Sequence, residues 1–231
     1  MKIKVYFIIQ TLFIAVLAIS GCSKDNYKAP KSLLTGHVVY QGTVLGVRSN
    51  GNSSGGAQLE LWQHGYQFFT KIPVYVNQDG SYSALLFDGD YLLTRLKGAP
   101  WVDQTDSIAV HVKGNTVVDV PVTPYFYVSN ATYTKSGTAV TSTITVTKVN
   151  SSSMLEAVRL YLSRTILVDQ NQNDAIANID PASVTPGSPF TATVSIPSSL
   201  LAADAIYARV GVKTTGVAEL MYSAPFKISL K

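Results

Sequence analysis

The sequence predicts an all-β chain, two β-sandwich domains in series. Apolar residues recur with period two from Leu33 almost to the end, and glycine, asparagine, aspartate and serine separate the runs. No stretch sustains a helical period and no internal repeat is found. The pattern breaks near Pro121 and Pro124, so the domains are expected over residues 32–122 and 123–231.

Residues 1–21 precede the fold. Lys2 and Lys4 lead into an almost wholly apolar stretch, residues 5–19, and small residues run up to Cys22, the only cysteine. This is the pattern of a bacterial lipoprotein signal, so residues 1–21 are expected to be removed and Cys22 to become an acylated N-terminus. The apolar stretch falls short of the roughly 20 residues of a spanning helix. Each buried methylene of an acyl chain contributes about 0.8 kcal/mol, so several chains would hold the protein at a membrane. Residues 22–31 then read as a polar tether.

Loss of Lys2 and Lys4 lowers the formal charge from +4 to +2. The remaining Lys and Arg are scattered rather than gathered on a stripe, which argues against nucleic acid as a partner. With Cys22 acylated, no thiol remains for a disulfide or a metal. Stability must come from apolar cores, and each half is long enough to bury one.

In the first domain, Ala57, Leu59 and Leu61 share one face while Gln58, Glu60 and Trp62 share the other. Ile72, Val74 and Val76 alternate with Lys71, Pro73 and Tyr75, and Ile108, Val110 and Val112 alternate with Ala109, His111 and Lys113. Pro73 cannot donate to a ladder, which puts its strand at a sheet edge. Residues 50–56 form a Gly/Ser/Asn loop, Asp79-Gly80 suits a tight hairpin and Asp88-Gly89-Asp90 marks a reversal.

In the second domain, Thr141, Thr143, Thr145 and Thr147 line one face of a strand whose other face carries Val140, Ile144 and Val146. Val158, Leu160 and Leu162 alternate with Arg159, Tyr161 and Ser163. Ile206, Ala208, Val210 and Val212 alternate with Tyr207, Arg209, Gly211 and Lys213, and Phe226, Ile228 and Leu230 close the chain. About a hundred residues of such strands suit a sandwich of immunoglobulin or fibronectin type. Tyr125-Phe126-Tyr127, at the junction, is expected to pack between the domains.

The stretches Leu34-Thr35-Gly36-His37-Val38-Val39, Gly56-Ala57-Gln58-Leu59-Glu60-Leu61, Asn77-Gln78-Asp79-Gly80-Ser81-Tyr82 and Phe87-Asp88-Gly89-Asp90-Tyr91 resemble the prealbumin-like, carboxypeptidase-regulatory-type domain. Followed by Val122-Thr123-Pro124-Tyr125, Tyr207-Ala208-Arg209-Val210-Gly211-Val212-Lys213 and Tyr222-Ser223, the whole order resembles an uncharacterised family of Bacteroidetes lipoproteins. The resemblance implies association with starch-utilisation-type outer-membrane glycan importers. The partners it implies are a polysaccharide and an outer-membrane transporter with its lipoproteins. Lys24-Asp25 resembles the charged signal that sends such lipoproteins to the cell surface; with Asn26 next, the match is partial and the leaflet stays open. No functional residues and no cofactor are implied.

Four constellations invite a chemical reading. Gly51-Asn52-Ser53-Ser54-Gly55 has the letters of a hydrolase serine motif, but a nucleophile elbow needs a strand before it and a helix after it, and this stretch reads as a loop between strands. His37, His64 and His111 are far apart, without a neighbouring carboxylate at metal-ligand spacing, though two could meet in space. Residues 169–180 place the oxygen side chains of Asp169, Asn171, Asn173 and Asp180 as in a calcium loop. Asp174 replaces its turn glycine, Asp180 its bidentate glutamate, and Pro181 follows where a helix should start, so a polar interstrand loop is the competing reading. The aromatic residues Trp62, Tyr66 and Trp101 offer platforms for a pyranose, Trp101 at an expected loop tip after Gly98-Ala99-Pro100. The competing reading packs these rings into sandwich ends or between domains.

The sequence thus favours a non-enzymatic surface lipoprotein that binds glycan. A structural partner of the transporter that touches no sugar is the alternative. A hydrolase would need convergent acids, such as Asp88 or Asp90 with Asp103.

Overall fold

The period-two runs are strands in the computed structural model, which describes residues 28–49, 56–65 and 69–231. In the first half these are β1 (Ser32–Tyr40), β2 (Thr43–Val44), β3 (Gln58–Trp62), β4 (Ile72–Tyr75), β5 (Ser81–Leu86), β6 (Gly89–Arg95), β7 (Ile108–Val112), β8 (Asn115–Val117) and β9 (Val120–Pro121). One sheet has β1 at its centre, antiparallel to β2 and β5 and parallel to β8 and β9. The other runs β4-β3-β6-β7, all antiparallel. Leu34, Val38, Tyr82 and Leu86 of the first are buried with Leu59, Leu61, Leu93 and Val112 of the second, the alternation expected of a sandwich. Pro73 does lie on an edge strand, opposite Glu60. At Asp79-Gly80 the chain turns tightly, Gly80 N–H donating to the Asn77 carbonyl at 2.9 Å and Asn77 N–H to the Ser81 carbonyl at 2.8 Å, but the pairing across it stops at the single bridge Val76–Tyr82. β4 and β5 belong to opposite sheets, so the turn is a corner rather than a hairpin.

The second half holds β10 (Phe126–Ser136), β11 (Ala139–Lys148), β12 (Leu155–Ser163), β13 (Ala175–Ile179), β14 (Pro189–Ser195), β15 (Ala205–Thr214), β16 (Met221–Tyr222) and β17 (Phe226–Ser229). β10-β11-β14 form one sheet; β13-β12-β15-β16, with β17 also on β15, form the other. Val140, Ile144 and Val146 face the core while Thr141, Thr143, Thr145 and Thr147 lie half-buried outside. The molecule is therefore all-β, with two sandwich domains in series.

Residues 31–231 form one compact unit, and the two halves are joined by buried polar contacts. Arg48 donates to both carboxylate oxygens of Glu219, Nε to Oε2 at 2.9 Å and Nη2 to Oε1 at 2.5 Å. Arg209, fully buried, donates to the carbonyls of Val47 and Gln78 in the first half and of Val168 and Ser223 in the second. Its guanidinium lies 4.4 Å from the centre of the Tyr222 ring. The Tyr222 N–H donates to Gly46 O at 2.8 Å. A Cβ at Gly46 would lie 2.6 Å from the Tyr222 carbonyl oxygen, so only glycine admits this approach. Of the aromatic run at the junction, Tyr127 meets Tyr40 of the first domain edge to face at 5.7 Å, while Phe126 is buried beside Lys148 of the second.

Candidate functional site

The outer face of β4-β3-β6-β7 carries a laterally paired set of side chains. Trp62 on β3 stands opposite Leu92 on β6, and Leu92 opposite Ala109 on β7; in the adjoining row Asp90 stands opposite His111. Period-two alternation puts all five on one face. The small Ala109 beside two large residues leaves a depression, and a groove of about 450 Å³ opens there, lined by Trp62, His64, Asp90, Leu92, Ala109 and His111.

Trp62 is fixed at one edge by its indole N–H, which donates to Thr94 Oγ1 at 3.1 Å, and its ring centre lies 5.2 Å from that of Phe69. Phe69 in turn stacks on His64 at 4.5 Å. At the other end Asp90 Oδ1 and His111 Nδ1 are 2.7 Å apart, both largely exposed, so their remaining polar atoms face water. Next to Trp62, Glu60 is nearly buried beneath Lys71, whose ammonium lies 2.6 Å from Oε1. An aromatic and aliphatic floor between hydrogen-bonding side chains can stack a sugar ring and receive its hydroxyls.

The aromatic candidates part ways here. Trp62 lines the groove. Trp101 does not: it has no exposed surface, because Ala99 and Pro100 fold inward and Trp101 bridges to Pro124, with Val102 N–H donating to the Thr123 carbonyl at 2.8 Å. It is a core residue at the junction, and the loop-tip expectation is corrected. Tyr66, Cys22 and the serine motif at 51–55 lie outside the described residues.

The calcium-loop residues are engaged locally. Asp169 Oδ1 accepts the backbone N–H groups of Asn171 and Gln172 at 2.7 and 3.0 Å, and the Asn173 amide donates to Asp169 O and Gln170 O. Asp180 caps a short 3-10 turn, Pro181–Ser183, by accepting from Ala182 N–H at 2.9 Å. Among the described residues no group of three or more His, Cys, Asp or Glu is placed to hold a metal. The three acids considered for hydrolysis are each engaged with a different partner. Asp88 accepts from Ser32, Asp90 pairs with His111, and Asp103 accepts from Gly98 N–H.

His64 and His111, 47 residues apart in the sequence, both line this groove. Leu92, Ala109 and Thr94 were not singled out. Their signal was the alternation of β6 and β7, which marks the face but not the neighbour.

No curated protein matches the chain. Among solved structures, a protein from Bacteroides ovatus ATCC 8483 is 42% identical, covers 87% of this chain and 100% of its own, and superposes with a TM-score of 0.80. One from Parabacteroides merdae ATCC 43184 is 36% identical over the same shares, with a TM-score of 0.79. A third, from Bacteroides uniformis ATCC 8492 and described as a "putative carbohydrate binding protein", is 18% identical over the same shares with a TM-score of 0.70, which shows a shared fold. Residues 32–123 match the DUF3823 N-terminal domain, a protein of unknown function, and residues 126–227 match the domain of unknown function DUF3823_C. With both halves matched in order and the first two relatives described as DUF3823 proteins, the chain belongs to the DUF3823 family.

Proposed function

We propose that this protein is a non-enzymatic, lipid-anchored accessory that binds glycan through the Trp62 groove within an outer-membrane polysaccharide-uptake system. The observation that carries the glycan reading is the row Trp62, Leu92, Ala109 bordered by Asp90 and His111. It offers apolar contact to a pyranose face and polar atoms to its rim hydroxyls. The Bacteroides uniformis relative described as a "putative carbohydrate binding protein" supports the ligand class. The anchor rests on Lys2, Lys4, the apolar stretch and Cys22, and the uptake system with its transporter and lipoprotein partners rests on the family resemblance.

Affinity gel electrophoresis of the chain from Ser23 against soluble polysaccharides tests the binding. Retardation by one glycan, abolished by Trp62→Ala, is expected. A second reading, docking on the transporter without touching sugar, is favoured by Leu33, Leu85 and Val117, which expose 37, 59 and 73% on the outer face of the first sheet. Absence of retardation on every glycan would select it. For the anchor, Cys22→Ser is expected to abolish incorporation of labelled fatty acid; persistent labelling would refute acylation at that residue.

A further inference from the structure

A second groove, of about 350 Å³, opens where the two domains meet. Its first-domain bank carries Val44 and Asp79, and its second-domain bank carries Ser129, Asn130, Tyr133 and Phe226. Phe226, at the start of β17, lies nearly parallel to Tyr133 on β10, with ring centres 5.1 Å apart and planes 19° apart. Tyr133 is half-buried and fixed by a 3.0 Å hydrogen bond between its hydroxyl and Ser223 Oγ. Phe226 remains 48% exposed. An aromatic ring held flat on a fixed partner and open to a groove is the platform that a pyranose needs, and it costs little ordering on binding because its support is rigid.

The polar side chains stand on opposite banks. Asp79 and Asn130 are both exposed, one an acceptor and the other both donor and acceptor. Among the described residues Asp79 is the only charged one lining the groove; the Arg209 guanidinium is buried and engaged with carbonyls. A lone carboxylate disfavours uronic or sulfated sugars, so the chemistry fits an uncharged ring. The Arg48–Glu219 pair and the Arg209 contacts tie the banks together, so the groove is formed before ligand arrives. Its volume falls within the roughly 300–1,000 Å³ typical of ligand pockets, which often sit at domain interfaces.

We propose that this interdomain groove is a second glycan site, which stacks a neutral pyranose on Phe226 and hydrogen-bonds its hydroxyls through Asp79 and Asn130. It shares the ligand class of the proposed function but none of the residues of the Trp62 groove.

Site-resolved NMR separates the two. The aromatic resonances of Phe226 and Tyr133 and the indole N–H of Trp62 are followed in the chain from Ser23, whose folded part matches the stretch over which the relatives were crystallised. The probes are maltohexaose, cellohexaose, xylohexaose and mannohexaose. One is expected to shift the Phe226 and Tyr133 resonances saturably. Asp79→Asn and Phe226→Leu, the latter followed through Tyr133, should weaken that response at least about tenfold, equivalent to about 1.4 kcal/mol, while Trp62→Ala leaves it intact. Phe226→Leu keeps an apolar side chain, and an otherwise unchanged spectrum reports that it folds. No saturable shift at Phe226 and Tyr133 with any probe, or a Tyr133 shift that Phe226→Leu leaves unchanged, would overturn the proposal whatever Trp62 does. A shift at Phe226 without one at Trp62 would uphold it and refute the Trp62 reading instead.

Discussion

Arg48 and Glu219, 171 residues apart in the sequence, meet in a two-point ion pair buried between the two domains. Hydrogen bonding to Glu219 holds the Arg48 guanidinium above its ordinary value, against the opposing effect of burial. Removing one partner leaves the other charge buried without it. Arg48→Ala or Glu219→Ala is therefore expected to cost about 3–5 kcal/mol, whereas the double substitution Arg48→Met with Glu219→Leu costs far less. Chemical denaturation of the four proteins measures this, and equal losses in the single and double variants would contradict it.

Gly46 admits the Tyr222 carbonyl to van der Waals distance. Gly46→Ala would force a Cβ against two backbone oxygens, of Tyr222 and Ser223, that cannot rotate away. A loss of about 1–3 kcal/mol is expected, with faster hydrogen exchange at the Tyr222 amide that binds Gly46. Thermal unfolding and exchange mass spectrometry read both.

The two tryptophans should behave in opposite ways. Trp101→Ala opens a cavity in a fully buried site and is expected to cost about 3–5 kcal/mol. Trp62→Ala, on a half-buried outer face, should cost about 1 kcal/mol and remove retention by the glycan that its own groove binds. Urea denaturation beside affinity electrophoresis separates stability from binding.

Alkali should unfold the protein from within its tyrosines. Burial raises the phenols of Tyr82, Tyr133, Tyr161 and Tyr222 above their ordinary 10.0. The native state therefore keeps protons that the unfolded chain releases, so this stabilisation is whole below pH about 10 and is lost as pH rises through the folded values. Burial works the other way on Arg209, lowering it to about 10, so its contribution grows as pH rises above that value; four phenols outweigh one guanidinium. Phenolate absorbance for these residues is expected to appear together with loss of circular dichroism. Full titration of all tyrosines in folded protein would contradict the assignment.

Strand alternation, legible in the residues alone, sets which side chains of each strand share a face. Val140, Ile144 and Val146 went inward and the threonines between them outward, because the pleat reverses at every residue, and Pro73 went to an edge because it has no N–H to give. What covers a face was decided elsewhere. Tyr161, Arg209 and Gly211 sit where alternation marks an outer face, yet all are buried, because Val168 and the first domain pack over that sheet. Trp101 went inward for a similar reason, bridging to Pro124 at the junction. The Trp62 groove needed strand partners from three separate segments, and the Phe226 platform needed β10 and β17 side by side. Alternation is a local property of the backbone, whereas the neighbour across a sheet or a domain boundary is chosen by the global balance of burial, and only the tertiary structure records that choice.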